Sequence, residues 1–130
     1  MKKWIFLIAV ASSLVACAPQ KSLKTAQKNE PIVIADDSLQ HEIIIIDPDF
    51  DRWYLSRYNQ AMDRSDSYYQ AMNRIGALNW NQYYNTGKYF RIISNYLDYQ
   101  PGIDYGLEVN RKLYWYFKYI EEQFRVPLLR

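Results

Sequence analysis

One apolar pattern in the last third of the chain leaves few folds open. Tyr105, Val109, Leu113, Tyr116, Phe117, Ile120 and Phe124 recur at steps of three and four residues, which lines their side chains along one face of an α-helix. Trp115 and Tyr119 widen that face into a belt, and so broad a belt implies a central helix packed on more than one side. Asp104 is placed to cap this helix after the Pro101-Gly102 loop, and Pro127 to stop it, which would make it the longest regular element.

The preceding residues supply what could pack around it. All 13 tyrosines of the chain lie within residues 50–130. Large rings bury much area per residue, so a domain spanning residues 41–130 could build its core without disulfides. A short helix carrying Trp53, Tyr54 and Tyr58 is expected after a turn at Asp47-Pro48, capped by Asp51 or equally by Asp49. A second should begin near Ser65 or Asp66 and run to about Asn85, with Gly87 as a left-handed C-terminal cap. Gly76 weakens that helix and so implies close packing against another backbone. Tyr89, Phe90, Ile92, Ile93, Tyr96 and Leu97 suggest a third, shorter helix.

His41-Glu42-Ile43-Ile44-Ile45-Ile46 reads as a β-strand, and four consecutive isoleucines imply burial on both faces. The expected fold is therefore mainly α with one N-terminal β-strand, three or four helices packing around the aromatic C-terminal helix. Ile32-Val33-Ile34 could add an edge strand, making a small α+β fold.

The N-terminus constrains location. Lys2 and Lys3 precede an apolar run over residues 4–15, too short for a membrane span and suited to a secretory leader. The run ends in Leu14-Val15-Ala16-Cys17, which resembles the bacterial lipobox, so residues 1–16 are expected to be removed and Cys17 lipidated. An ordinary signal peptide with a stray cysteine is the competing reading. Against it, Cys17 is the chain's one cysteine, and a lone thiol in an oxidising compartment would be a liability. Residues 17–40 read as the acylated cysteine and a flexible tether. Lys21, Lys24 and Lys28 on it form a solvated spacer or rest on anionic head groups. Ala18 follows the cysteine with no acidic run behind it, which by resemblance to known sorting rules implies the outer membrane.

Asp47-Pro48-Asp49-Phe50-Asp51-Arg52-Trp53, Asn79-Trp80-Asn81, Ile103-Asp104-Tyr105-Gly106-Leu107-Glu108-Val109-Asn110 and Tyr119-Ile120-Glu121-Glu122 carry a resemblance that extends from Ile43 to Leu129. Through these segments the chain resembles a family of small uncharacterised Bacteroidetes lipoproteins. The resemblance implies a domain of unknown function in the envelope of such bacteria, and no particular reaction.

Candidate chemistry is sparse. Asp47, Asp49 and Asp51 have the spacing of the first calcium-loop ligands, but Arg52 stands where the turn glycine belongs and Tyr58 where the bidentate glutamate belongs, so turn and cap chemistry explains them. His41 has no free cysteine or second histidine to join it. Asp104, Glu108, Glu121 and Glu122 are the carboxylates of the last helix, and four acids there are ordinary for a solvated face. We expect no enzyme activity, metal or cofactor. With Lys2 and Lys3 removed, the 16 basic residues fall to the same number as the 14 acidic ones, so nucleic acid is not an expected partner. The expected role is a membrane-anchored, non-catalytic adaptor for another envelope protein. The alternative is glycan binding through rings off the core stripes, Tyr54, Tyr84, Tyr99 and Tyr114.

Overall fold

The computed structural model describes residues 32–37 and 40–130; the expected leader, the expected lipidation at Cys17 and the part of the expected tether (17–40) that precedes residue 32 lie outside the described residues. The chain is mainly α with a small β part. Strand β1 (Ile32–Asp37) pairs antiparallel with β2 (Gln40–Ile45), and helices α1 (Pro48–Arg57), α2 (Asp66–Thr86) and α3 (Leu107–Phe124) follow, with a 3-10 turn at Gln60–Met62. The edge strand is thus present, and it runs on past the isoleucine pair to Asp37.

The hairpin register sets Ile32 opposite Ile45 and Ile34 opposite Ile43, placing all four on the face toward the core. Ile32 is fully buried, whereas Ile46 is half exposed. Full burial on both faces, expected from the isoleucine run, is therefore not reached among the described residues: Ile43 and Ile45 face the helices, Ile44 of alternate parity is half-buried on the other face, and Ile46 lies past the end of β2.

Local signals set most helix ends. Pro48 lacks an N–H and has the fixed φ of a first helical residue, so α1 starts there and the cap is Asp47, not Asp49 or Asp51. The Asp47 carboxylate accepts from the backbone N–H of Asp49 at 3.0 Å and of Phe50 at 3.3 Å. In α2, Ser65 Oγ accepts from Tyr68 N–H at 3.2 Å and Gly87 closes the helix at φ +71°. In α3, Gly106 occupies the cap position at φ +84°, and Asp104 sits two residues further out, accepting from the Gly106 N–H at 3.0 Å. Asp104 therefore shapes the approach and does not cap the helix. With 18 residues α3 is also shorter than the 21 of α2.

The third helix expected over residues 89–97 is absent. One turn forms, with Ile92 and Ile93 N–H both donating to the Tyr89 carbonyl, and Tyr89 sits at φ +62°, which stops helical propagation. Beyond it the backbone bonds to α2 side chains: Leu97 N–H donates to Asn81 Oδ1 at 2.8 Å, Asn81 Nδ2 donates to Leu97 O at 2.9 Å, and Trp80 Nε1 to Asn95 O at 2.8 Å. Ile93 and Leu97 are buried, so their spacing reflects a segment draped over α2.

Helix α3 meets β2, α1 and α2. Its contacts with α2 advance together along both helices, Asp66 with Asn110, Gly76 with Phe117 and Tyr83 with Pro127, so the two run in the same direction. Residues 87–106 must therefore return the chain along the full length of the layer, which explains why this connection is long. The contacts of α1 run the opposite way, Phe50 against Tyr119 and Tyr58 against Trp115. A Cβ on Gly76 would lie 2.4 Å from the Phe117 ring, so what approaches this glycine is a side chain and not the backbone expected.

Candidate functional site

Polar residues inside an aromatic core must find partners or cost stability. Asp63, in the connection between α1 and α2, is partly enclosed by that core, with its side chain 17 % exposed. Arg111 on α3 grips it with two N–H groups, Nε donating to Oδ1 at 3.0 Å and Nη2 to Oδ2. The Tyr69 hydroxyl donates to Oδ1 at 2.5 Å, that of Tyr58 to Oδ2 at 3.3 Å, and Arg64 N–H to Oδ1 at 3.0 Å. The Arg111 hydrogen bonds, chief among these causes, hold the Asp63 carboxyl down at about 2. Arg111 also stacks 5.3 Å from the centre of the Tyr58 ring.

A second set pins the starts of α2 and α3 together. Asn110 Nδ2 donates to Asp66 Oδ1 at 2.8 Å, Gln70 Nε2 donates to Asp66 Oδ2 at 2.7 Å, and the Tyr99 hydroxyl donates to Asn110 Oδ1 at 3.0 Å. Asn73, buried in α2, donates to the Asn110 carbonyl at 2.8 Å. Both sets join parts of the fold, although the buried Asn73 Oδ1 has no hydrogen-bond partner among the described residues.

An open groove lies between one face of α1 and the end of α3, with a volume of about 560 Å³. Trp53, Tyr119 and Phe124 supply its rings, and Asp49, Arg52, Ser56 and Gln123 its polar groups. It exists because α1 lies antiparallel against α3, setting the first turns of one helix beside the last turns of the other. Trp53 is tilted 58° to Tyr119, and Phe124 stands at 90° to it. Trp53 is fixed in place by its Nε1, which donates to Glu122 at 3.3 Å, while Arg57 pairs with the same carboxylate oxygen at 2.7 Å. Burial, with the nearby charge of Asp47, pushes the Tyr119 hydroxyl up to about 12, so it stays a neutral donor.

The residues singled out from sequence are scattered. Tyr84 is 42 % exposed, Tyr54 and Tyr99 are half-buried and packed against the core, and Tyr114 is buried. Tyr114 was expected off the core, but it fits between Tyr68 and Tyr69 of α2, with ring centroids at 5.8 and 5.2 Å, because the belt of α3 is wider than its 3-4 stripe. Asp47, Asp49 and Asp51 lie at the start of α1, where Asp47 caps the helix and Asp49 also reaches Arg52. His41 is in β2, paired with Asp36 through the backbone register. Of the helical carboxylates, Glu121 accepts from Leu128 and Leu129 N–H at 2.7 and 2.9 Å, Glu122 holds Trp53 and Arg57, and Glu108 lies in the first turn of α3 with Asp104 just before it. The sequence alone does not bring Trp53, Tyr119 and Phe124 together as a group. Their shared signal is weak, because the pairing of α1 with α3 that unites them is not written in either segment.

Over residues 5–129 the chain matches a family of unknown function (DUF6146), and it belongs to that family. No curated protein and no solved structure matches it. No helix among the described residues is long and apolar enough to cross a membrane.

Proposed function

We propose that the protein is a lipoprotein of the bacterial cell envelope, of the kind found in Bacteroidetes, cut before Cys17, acylated there and held at the outer membrane. Its folded domain acts as a non-catalytic adaptor that binds a segment of another envelope protein in the groove between α1 and α3. The anchor rests on Leu14-Val15-Ala16-Cys17 behind a basic and apolar leader. Each buried methylene of an acyl chain contributes about 0.8 kcal/mol, so two or three chains hold a protein at a bilayer almost permanently.

The groove carries the adaptor reading. Rings set at steep angles, flanked by Asp49, Arg52 and Gln123, match the mixed aromatic and polar composition of protein recognition surfaces. A sugar ring stacks best on a flat platform, which rings tilted by 58° and 90° do not form.

The test is in two parts. Mass spectrometry of the native amino terminus should find acyl chains on Cys17, and an intact Met1 or an unmodified terminus would sink the anchor. A photo-crosslinking residue in place of Gln123, in the full acylated protein, should give one discrete envelope-protein adduct that disappears with Trp53→Ser. Absence of a reproducible adduct, together with glycan-array binding lost in Trp53→Ser, would replace the adaptor with the glycan reading.

A further inference from the structure

Exposed rings and cations collect at the C-terminal end of α2, where the chain coming from Cys17 joins the fold. Tyr84, Phe90 and Tyr96 are 42, 67 and 55 % exposed, and the Tyr84 and Tyr96 rings meet with centroids 6.3 Å apart. The Arg91 guanidinium lies 5.8 Å from the centre of the Phe90 ring, and the Lys88 ammonium lies 5.4 and 5.0 Å from those of Tyr83 and Tyr89. Asp98 is the one acid between positions 81 and 99, and it accepts from the Gln100 side chain. Asn95, next to Tyr96, donates to the carbonyl of Ile32 at 2.9 Å and so ties the start of β1 to this segment.

We propose that this end of the domain, through Tyr84, Phe90 and Tyr96 with Lys88 and Arg91, seats directly on the anionic phospholipid surface in which Cys17 is anchored. The proposal rests on the lipid-anchor reading given above. Only 15 residue steps separate Cys17 from Ile32, which fully extended reach at most about 50 Å. A domain leashed so closely meets the bilayer at a high effective concentration, at which a patch too weak to bind alone is occupied. The point of attachment decides which end turns inward, and Asn95 places that point beside the rings. Tyrosine and phenylalanine between cations suit the head-group layer, where rings bury their faces and phenols stay wet, and Lys21, Lys24 and Lys28 add positive charge on the leash. A protein partner would also accept the rings; lipid is favoured by the attachment point and by the positive sign of both charges flanking Phe90.

The experiment uses the full acylated protein in vesicles of phosphatidylglycerol and phosphatidylethanolamine that carry a lipid-borne quencher. With Cys17 acylated, a dye can be placed at Asn85→Cys, exposed in the last turn of α2, and in a second sample at Met62→Cys, 76 % exposed beyond the other end of this helix. A helix of 21 residues separates the two positions by about 30 Å. Quenching at position 85 should exceed that at 62 several-fold. The excess should shrink in pure phosphatidylcholine and vanish in a Lys88→Glu, Arg91→Glu double variant with unchanged circular dichroism. Equal quenching at both positions in acylated, vesicle-bound protein overturns the docking alone, and this includes the case in which the leash or another chain covers the patch. Protein lacking acyl chains by mass spectrometry overturns the anchor and the docking together.

Discussion

Residues 58–65 and residues 87–106 each join α2 to the rest of the fold, and they are held by opposite kinds of chemistry. The first connection closes on a charge: Asp63, gripped by Arg111 and by two tyrosine hydroxyls. The second closes on neutral groups, with Asn81, Trp80 and Asn95 bonding to backbone atoms far away in sequence. The charged device concentrates its hold on one pair and responds to pH. The amide device spreads its hold over several bonds, none of which titrates, and it leaves Phe90 and Tyr96 free to face outward.

The largest break in this comparison should come from Arg111→Ala. It strips a mostly buried carboxylate of its countercharge and two hydrogen bonds, and we expect a loss of roughly 2–4 kcal/mol in urea unfolding at neutral pH. A loss no bigger than that of an exposed pair such as Arg52 with Asp49, which is worth well under about 1 kcal/mol, would mean that the tyrosines alone hold the connection.

Asn81→Ala tests the second connection. It removes both the donor to Leu97 O and the acceptor for Leu97 N–H, leaving backbone groups unpaired, for an expected loss of about 1–3 kcal/mol. Hydrogen exchange should localise the change: residues 93–97 should open while the α2 interior stays protected. Opening of the whole chain at once would show that the segment is no separate unit.

These two connections also separate what was legible in the sequence from what was not. Helix α2 is readable because its ends are local: Ser65 caps it, Gly87 is the left-handed cap expected, and the last helical residue, Thr86, is one past the expected Asn85. The belt of α3 is readable because burial repeats with the helical period. The segment 89–97 was misread because Ile93 and Leu97 satisfy the same spacing, and the bonds that hold it straight reach back 15 and 16 residues to Trp80 and Asn81. Asp63 sits in a polar stretch indistinguishable from a solvated loop until Arg111, 48 positions later, comes beside it. The groove is hidden for the same reason, since Trp53 and Phe124 become neighbours only through tertiary packing.

A smaller effect is expected at the start of α3. Gly106 combines φ +84° with ψ 156°, a conformation that side chains rarely adopt, although nothing lies within 4 Å of an added Cβ. Gly106→Ala should therefore cost about 1–2 kcal/mol through backbone strain alone. Gly76→Ala fails in the opposite manner, by collision with Phe117. Phe117→Leu, which replaces the ring with a smaller side chain, should partly rescue Gly76→Ala and leave Gly106→Ala unaffected in thermal unfolding. Equal rescue of both would contradict the geometry.

The finest distinction is acid. Asp63 is held at about 2 in the folded protein, against an ordinary value of 3.8, so folding depresses its pKa. The unfolded chain then binds the proton first as pH falls, and the stability contributed by the ionised carboxylate is complete above about pH 4 and drains away down to about pH 2. Protonation leaves the tyrosines near Asp63 able to hydrogen-bond, so the loss should be smaller than that caused by Arg111→Ala. Urea midpoints compared between wild type and Asp63→Asn isolate the effect from other carboxylates: the gap between the two proteins should be constant above pH 4 and close as the pH approaches 2. The gap between wild type and Asn81→Ala should stay level across the same range, because that variant removes only neutral bonds. A gap for Asn81→Ala that also closes in acid would mean that the connections either side of α2 are coupled, and that the charge on Asp63 reaches across the helix to the segment carrying Phe90 and Tyr96.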